Sequence, residues 1–139
     1  MSLLLDTQVL LWAVAAAERL PADLCRRIAD PARAPVFSAA SLWEIAARGD
    51  PAFDGARIRS ACLAAGYAEL PVTGRHVLDA AALAGTCPDP VARVLVAQAR
   101  AEGLTLVTAD RAVAACGGRV ELIDGAGAGG PYRPRPSTG

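Results

Sequence analysis

The stretch DPVARVLVAQARAEGLTLVTAD, residues 89–110, decides the fold. Asp89 before Pro90 pairs an N-cap residue with a first-turn proline. Val91, Val94 and Leu95 then recur at helical spacing, with small Ala97 and Ala101, until Gly103 ends the helix. LTLVT follows at once, short and apolar, and reads as a buried strand that closes on Asp110. The same order recurs at the other end of the chain. Leu3 to Leu5 is a short apolar strand ending on Asp6, and Thr7 to about Ala16 is a helix.

Between these blocks the pattern repeats. Pro21 opens a helix with Leu24 and Ile28 one turn apart, and Pro31 follows its end. APVFSA is a second strand, and Ser41 to about Arg48 is a helix stopped by GDP. Ala56 to Ala65 is a helix closed by Gly66 as a C′ glycine. YAELPV is a short extended piece, and GRHVLDAAALAG predicts a helix ending at Gly85. Asp110 to Cys116 is a short helix and VELI a last strand. All-apolar strands alternating with helices predict an α/β class: a three-layer α/β/α sandwich around a central, mainly parallel sheet. In such sheets function gathers at the carboxyl ends of the strands. Asp6 and Asp110 both fall there.

Composition narrows the reading. At 139 residues, 53% hydrophobic and 20% charged, the chain suits one globular domain. Its 14 basic residues are all Arg, and Asp and Glu also number 14, so no net charge advertises nucleic acid. A local Arg patch would suffice for RNA. The apolar N-terminus is interrupted by Asp6 and has no basic residue before it, so a bilayer span is not expected. Cys25, Cys62, Cys87 and Cys116 form no CxxC pair and His76 is the sole histidine, which argues against zinc. The cysteines read as reduced thiols of a cytoplasmic protein. We place the domain at residues 1–124. Residues 125–139, GAGAGGPYRPRPSTG, read as a Gly/Pro-rich disordered tail. Its GxGxxG at Gly125, Gly127 and Gly130 is fortuitous, because no helix opens after it.

Four carboxylates remain. Each has a plain structural role open to it. Asp6 and Asp110 can cap the helices that follow them. Asp89 is a strong N-cap, and Ser41 with Glu44 has the spacing of a capping box. Acids gathered at neighbouring strand ends, however, repel one another unless a cation or proton neutralises them. A divalent metal is the natural neutraliser. Phospho-aspartate chemistry on Asp6 fits poorly, since Gln8 spoils a DxD pair and the chain has no Lys.

The blocks LLLDTQVLLW, SAASLWEIA and DPVARVLVAQARAEGLTLVTAD, in this order, resemble PIN domains of the VapC-type toxins of bacterial toxin–antitoxin pairs. The resemblance covers about residues 2–123. It implies a flavodoxin-like sandwich with an acidic pocket and a Mg²⁺- or Mn²⁺-dependent endoribonuclease activity. It also implies a homodimer held inactive by a cognate antitoxin. Asp6, Glu44 and Asp110 match acids of that pocket, and Asp89 matches the Asp of the family's DP pair. By the same resemblance Asp6 and Asp110 are direct metal ligands, while Glu44 binds a second metal or positions the attacking water. Arg93, Arg111 and Ser38 are the candidate contacts to RNA. Thr108 and Ser38 are polar groups that could orient a carboxylate or a water.

Three departures stand out. Ala92 occupies the position of a central pocket Asp, Gln8 replaces the usual His, and Cys87 replaces a His ahead of the DP pair. Asp89 lies three residues before Ala92, about 4.5 Å along the same helix, so a shifted metal could use it. The competing reading is a catalytically inactive PIN module that binds RNA or an antitoxin-like protein.

Overall fold

The structure, a computed structural model, describes residues 2–124. Met1 and the expected tail from residue 125 lie outside the described residues. Five short strands form one sheet: β1 (Leu3–Leu5), β2 (Val36–Ser38), β3 (Ala68–Leu70), β4 (Thr105–Thr108) and β5 (Val120–Leu122). Their order is β3-β2-β1-β4-β5, and every pairing is parallel. Parallel neighbours need crossovers, and helices supply them. These are α1 (Thr7–Ala15), α2 (Ala22–Ala29), α3 (Ala39–Arg48), α4 (Gly55–Ala64), α5 (Gly74–Ala81), α6 (Pro90–Glu102) and α7 (Arg111–Ala114).

Alternation along the strands divides the core in two. Leu5, Phe37 and Val107 face Val9, Trp12, Leu24, Ile45 and Cys62 from α1 to α4. Leu4 and Leu106 face Leu95, Val96 and Ala99 of α6 and Val113 of α7. Both faces of β1 and β4 are thus covered, which is why those strands carry no polar alternation. The expected three-layer sandwich is present.

Three local features differ from the sequence reading. Helix α3 begins at Ala39, not at Ser41, because Ser38 ends β2 and caps the helix itself, its Oγ accepting the Ala40 N–H at 3.0 Å. Ser41 is buried in the first turn, where its Oγ accepts the Thr7 hydroxyl at 2.9 Å. The Ser41–Glu44 capping box is therefore not made. Helix α5 stops at Ala81, short of Gly85; the chain continues in turns with Leu83, Ala84 and Thr86 N–H groups each bonded three residues back. Finally, Cys87 and Cys116 are not separate thiols but a disulfide, with Cα atoms 5.0 Å apart. Packing of α6 and α7 on one face brings them within bridging distance. Cys25 and Cys62 are free.

Two helix ends show why glycine was the right stop signal. Gly66, at φ 86°, follows α4, and the next residue, Tyr67, donates its N–H back to the Cys62 carbonyl at 2.9 Å. Gly103, at φ 66°, turns α6 directly into β4. Left-handed backbone of this kind costs a β-carbon-bearing residue energy that glycine does not pay.

Candidate functional site

A cavity of about 280 Å³ opens at the carboxyl ends of β1 and β4. Asp6, Glu44, Asp89 and Asp110 all line it, together with Thr7, Gln8, Arg48, Val91, Ala92, Ala109 and Val113. The four acids picked out in the sequence are thus brought to one place. Their elements explain how. Asp6 follows β1, Asp110 lies just beyond β4, Asp89 caps the start of α6, and Glu44 is in the second turn of α3.

Their surroundings differ. Asp6 occupies the N-cap position of α1, yet its side chain makes no cap bond. Instead Oδ2 accepts the buried Thr108 hydroxyl at 2.6 Å. The same hydroxyl accepts the Asp110 backbone N–H at 3.1 Å. One side chain therefore fixes both acids. Burial pushes the Asp6 carboxyl from its ordinary 3.8 up to about 6; the Thr108 and Thr7 hydrogen bonds oppose the rise, and the nearby charges of Glu44 and Asp110 add to it. Asp110 and Asp89 do cap their helices, accepting the Ala112 N–H at 2.9 Å and the Val91 N–H at 3.0 Å. Each cap bond uses one oxygen, Oδ1 in both cases.

Two pocket residues escaped the sequence reading. Arg48 lines the cavity one turn after Glu44 and pairs with it at 3.3 Å. Only the i, i+4 spacing on α3 could have flagged it. Gln8, noted only as a replacement, has a buried Nε2 with no hydrogen-bond partner among the described residues. An orphaned donor at a cavity wall is costly unless an acceptor arrives.

The proposed RNA contacts are not gathered in the same way. Ser38 is fully buried; its Oγ donates to Gln98 Oε1 at 2.5 Å, away from the cavity lining. Arg93 donates to the Cys87 carbonyl and, at 2.9 Å, to the Pro88 carbonyl, bracing the loop ahead of α6. Arg111 is exposed on the first turn of α7, beside Asp110 but outside the lining.

The donor set bears on a cation. Hard carboxylate oxygens crowd one cavity, and mutual repulsion contributes to the raised Asp6 pKa. With Ala92 at the wall, no three or more His, Cys, Asp or Glu among the described residues are grouped to hold a metal ion. This arrangement fits a cation of the magnesium type, held through one or two carboxylates and its own waters. It does not fit a closed cage.

Comparison with known proteins bears on the family and the fold. The family model described as PIN domain matches residues 3–118. The fold is similar to that of VapBC from Salmonella typhimurium, solved bound to DNA, with a TM-score of 0.66 and 14% identity over 91% of this chain and 99% of that one. It is equally similar to VapBC2 from Rickettsia felis, solved with a promoter DNA fragment: TM-score 0.66 and 14% identity, over 89% of this chain and 98% of that one. At such identity the likeness speaks for the fold alone. Among curated protein sequences none matches.

Proposed function

From the premise that this chain belongs to the PIN-domain family, we propose that it is a VapC-like toxin: a divalent-metal-dependent endoribonuclease that hydrolyses RNA phosphodiester bonds. The observation that carries the reading is the meeting of Asp6, Glu44, Asp89 and Asp110 in one cavity, with the Asp6 carboxyl pushed up to about 6. Asp6 and Asp110 would hold Mg²⁺ or Mn²⁺, with Asp89 supporting from the start of α6. Such an ion supplies Lewis acidity toward a phosphate oxygen and makes water easier to deprotonate.

The protein's own groups do the rest. Thr108 holds the Asp6 carboxylate in place and ties it to the Asp110 backbone. Glu44, kept by Arg48, positions water entering the cavity or helps hold a second ion. The Gln8 amide and the Arg48 guanidinium offer donors to phosphate oxygens. Arg93 and Arg111 sit at the α6 and α7 ends, where a strand of RNA would pass. Ser38 is buried against Gln98 and takes no direct part in the cavity.

A partner protein follows from the same reading. We take it to be a cognate antitoxin that blocks the cavity, with the toxin itself a homodimer. Trp43 on α3 and Leu63 on α4 are 67% and 43% exposed, and apolar side chains so exposed favour cover. No helix among the described residues is long and apolar enough to cross a membrane.

One observation favours a second reading. Ala92 stands where a pocket carboxylate is expected, and among the described residues no three His, Cys, Asp or Glu are grouped to hold a metal ion. The chain would then be a PIN module that binds RNA or an antitoxin-like partner without cutting. Purified protein incubated with RNA in Mn²⁺ decides between them. Cleavage that EDTA stops and Asp6→Asn removes supports the nuclease. Cleavage only by the Ala92→Asp variant supports the binding module.

A further inference from the structure

The Cys87–Cys116 bond has no part in the chemistry above, yet it joins the two segments that carry Asp89 and Asp110. Cys87 stands two residues before Asp89, the N-cap of α6. Cys116 follows α7, whose N-cap is Asp110. Both cysteines are buried, and their core cluster contains Val91, Ala92 and Val113. Those three residues also line the acidic cavity. The bridge therefore belongs to the same packed cluster as three residues of the wall.

That wall needs support. Helix α7 has only four residues, and so short a helix holds its own N-cap weakly. The loop ahead of α6 is held by Arg93 on the Cys87 and Pro88 carbonyls and by the Cys87 N–H to the Leu83 carbonyl. Arg93 and that N–H fasten this loop to its own neighbours. The disulfide is the covalent link from it to the α7 segment, across 29 residues of sequence.

We infer that Cys87 and Cys116 are positioning residues for the acidic cavity, and that their disulfide is a redox-controlled tie holding the Asp89 and Asp110 caps in place. The inference rests on the cavity being the site proposed above. A small dithiol releases the tie. Its thiolate attacks one sulfur of the bridge and forms a mixed disulfide, while the other cysteine leaves as a thiol. The second thiol of the reductant then displaces the remaining cysteine and closes a cyclic disulfide. Two electrons and two protons pass from the dithiol to Cys87 and Cys116. A small-molecule disulfide reverses both steps.

The test uses the full chain and reads local opening rather than activity. Protein purified without reductant is denatured, alkylated and weighed. Only the two free cysteines, Cys25 and Cys62, are expected to react, with Cys87 and Cys116 joining them after dithiothreitol. Amide hydrogen exchange is then compared in the two folded forms. The Val91 and Ala112 amides, bonded to Asp89 and Asp110, should exchange about tenfold faster once reduced. Ala40 and Ala56, capped by Ser38 and Asp54, should not change. Reoxidation should restore slow exchange in the parent. The double variant Cys87→Ser/Cys116→Ser should exchange fast in both conditions and ignore dithiothreitol.

Alkylation of all four cysteines without reductant would remove the tie. Equal exchange at Val91 and Ala112 in both forms, or faster exchange everywhere including Ala40 and Ala56, would leave the bridge a general brace and overturn the positioning role. Failure of the nuclease reading looks different: the amides respond to reduction while no RNA is cut.

Discussion

Thr108 and Asp6, 102 residues apart in sequence, are joined by a 2.6 Å hydrogen bond from the Thr108 hydroxyl to Asp6 Oδ2. The bond is possible because β1 and β4 are paired in register, Leu5 opposite Val107, which sets the two strand ends side by side. It also opposes the burial that raises the Asp6 pKa. Thr108→Val removes the donor to Asp6 and the acceptor of the Asp110 N–H. The Asp6 carboxyl should then titrate above about 6, seen by carbon NMR of the side chain. Stability should fall by about 1–3 kcal/mol. An unchanged Asp6 titration would mean the bond does not form in solution.

Asp6 also sets a pH dependence whose sign is unusual for an acid. Its folded pKa is raised, from 3.8 to about 6, so between those values the native state holds more protons than the unfolded chain. Unfolding free energy therefore falls as pH rises through that window and is flat above it. Asp6→Asn abolishes the fall. The variant should match the parent's pH profile less the Asp6 step and be the more stable protein at pH 8, by on the order of 1–3 kcal/mol. Thermal unfolding at pH 4 and pH 8 checks this, and identical profiles would refute the assignment.

Divalent cations should reverse that penalty. On the proposed reading Mn²⁺ would bind the native pocket and not the unfolded chain, so a hundredfold excess over its Kd should add about 2.7 kcal/mol to the unfolding free energy. The gain should shrink below pH 6, where Asp6 takes up a proton, and largely vanish in Asp6→Asn and Asp110→Asn. Calorimetric titration with Mn²⁺ and Mg²⁺ gives the affinities. Equal binding by parent and both variants would place the ion elsewhere.

Ala92 is buried, 4% exposed, on the cavity wall. Ala92→Asp puts another carboxylate among Asp6, Glu44 and Asp110. In EDTA this variant should be less stable than the parent by about 1–3 kcal/mol, and Mn²⁺ should more than restore it. Stability that ignores Mn²⁺ would show that the added acid does not join the site.

Ser38 offers a contrast. Its hydroxyl and Gln98 form a buried pair at 2.5 Å, and Gln98 Nε2 continues to the Pro71 carbonyl at 3.2 Å. Ser38→Ala should cost about 1–3 kcal/mol in denaturant unfolding. Any RNA cleavage per folded molecule should be unchanged. A selective loss of RNA affinity in a fully folded variant would return Ser38 to the binding surface.

Much of this protein was legible in its sequence. Short apolar strands, helices stopped at Gly66 and Gly103, and the Asp89–Pro90 start of α6 led directly to the parallel sandwich. Asp6 and Asp110 were visible because each follows a strand, where such sheets gather function, while Glu44 and Asp89 were marked by the family resemblance. Other features carry no local signal. The Ser41–Glu44 spacing imitated a capping box, while tertiary contact gave the cap to Ser38 and turned Ser41 inward to Thr7. Cysteine spacing said nothing of the Cys87–Cys116 bridge, which exists because α6 and α7 pack on one face. Periodicity and turn chemistry act over a few residues, so sequence alone determined the elements, their order and the candidate acids. The Thr108 link, the place of Arg48, the burial of Ser38 and the raised pKa of Asp6 depend on distances between segments far apart in the chain, and only the tertiary structure decided those.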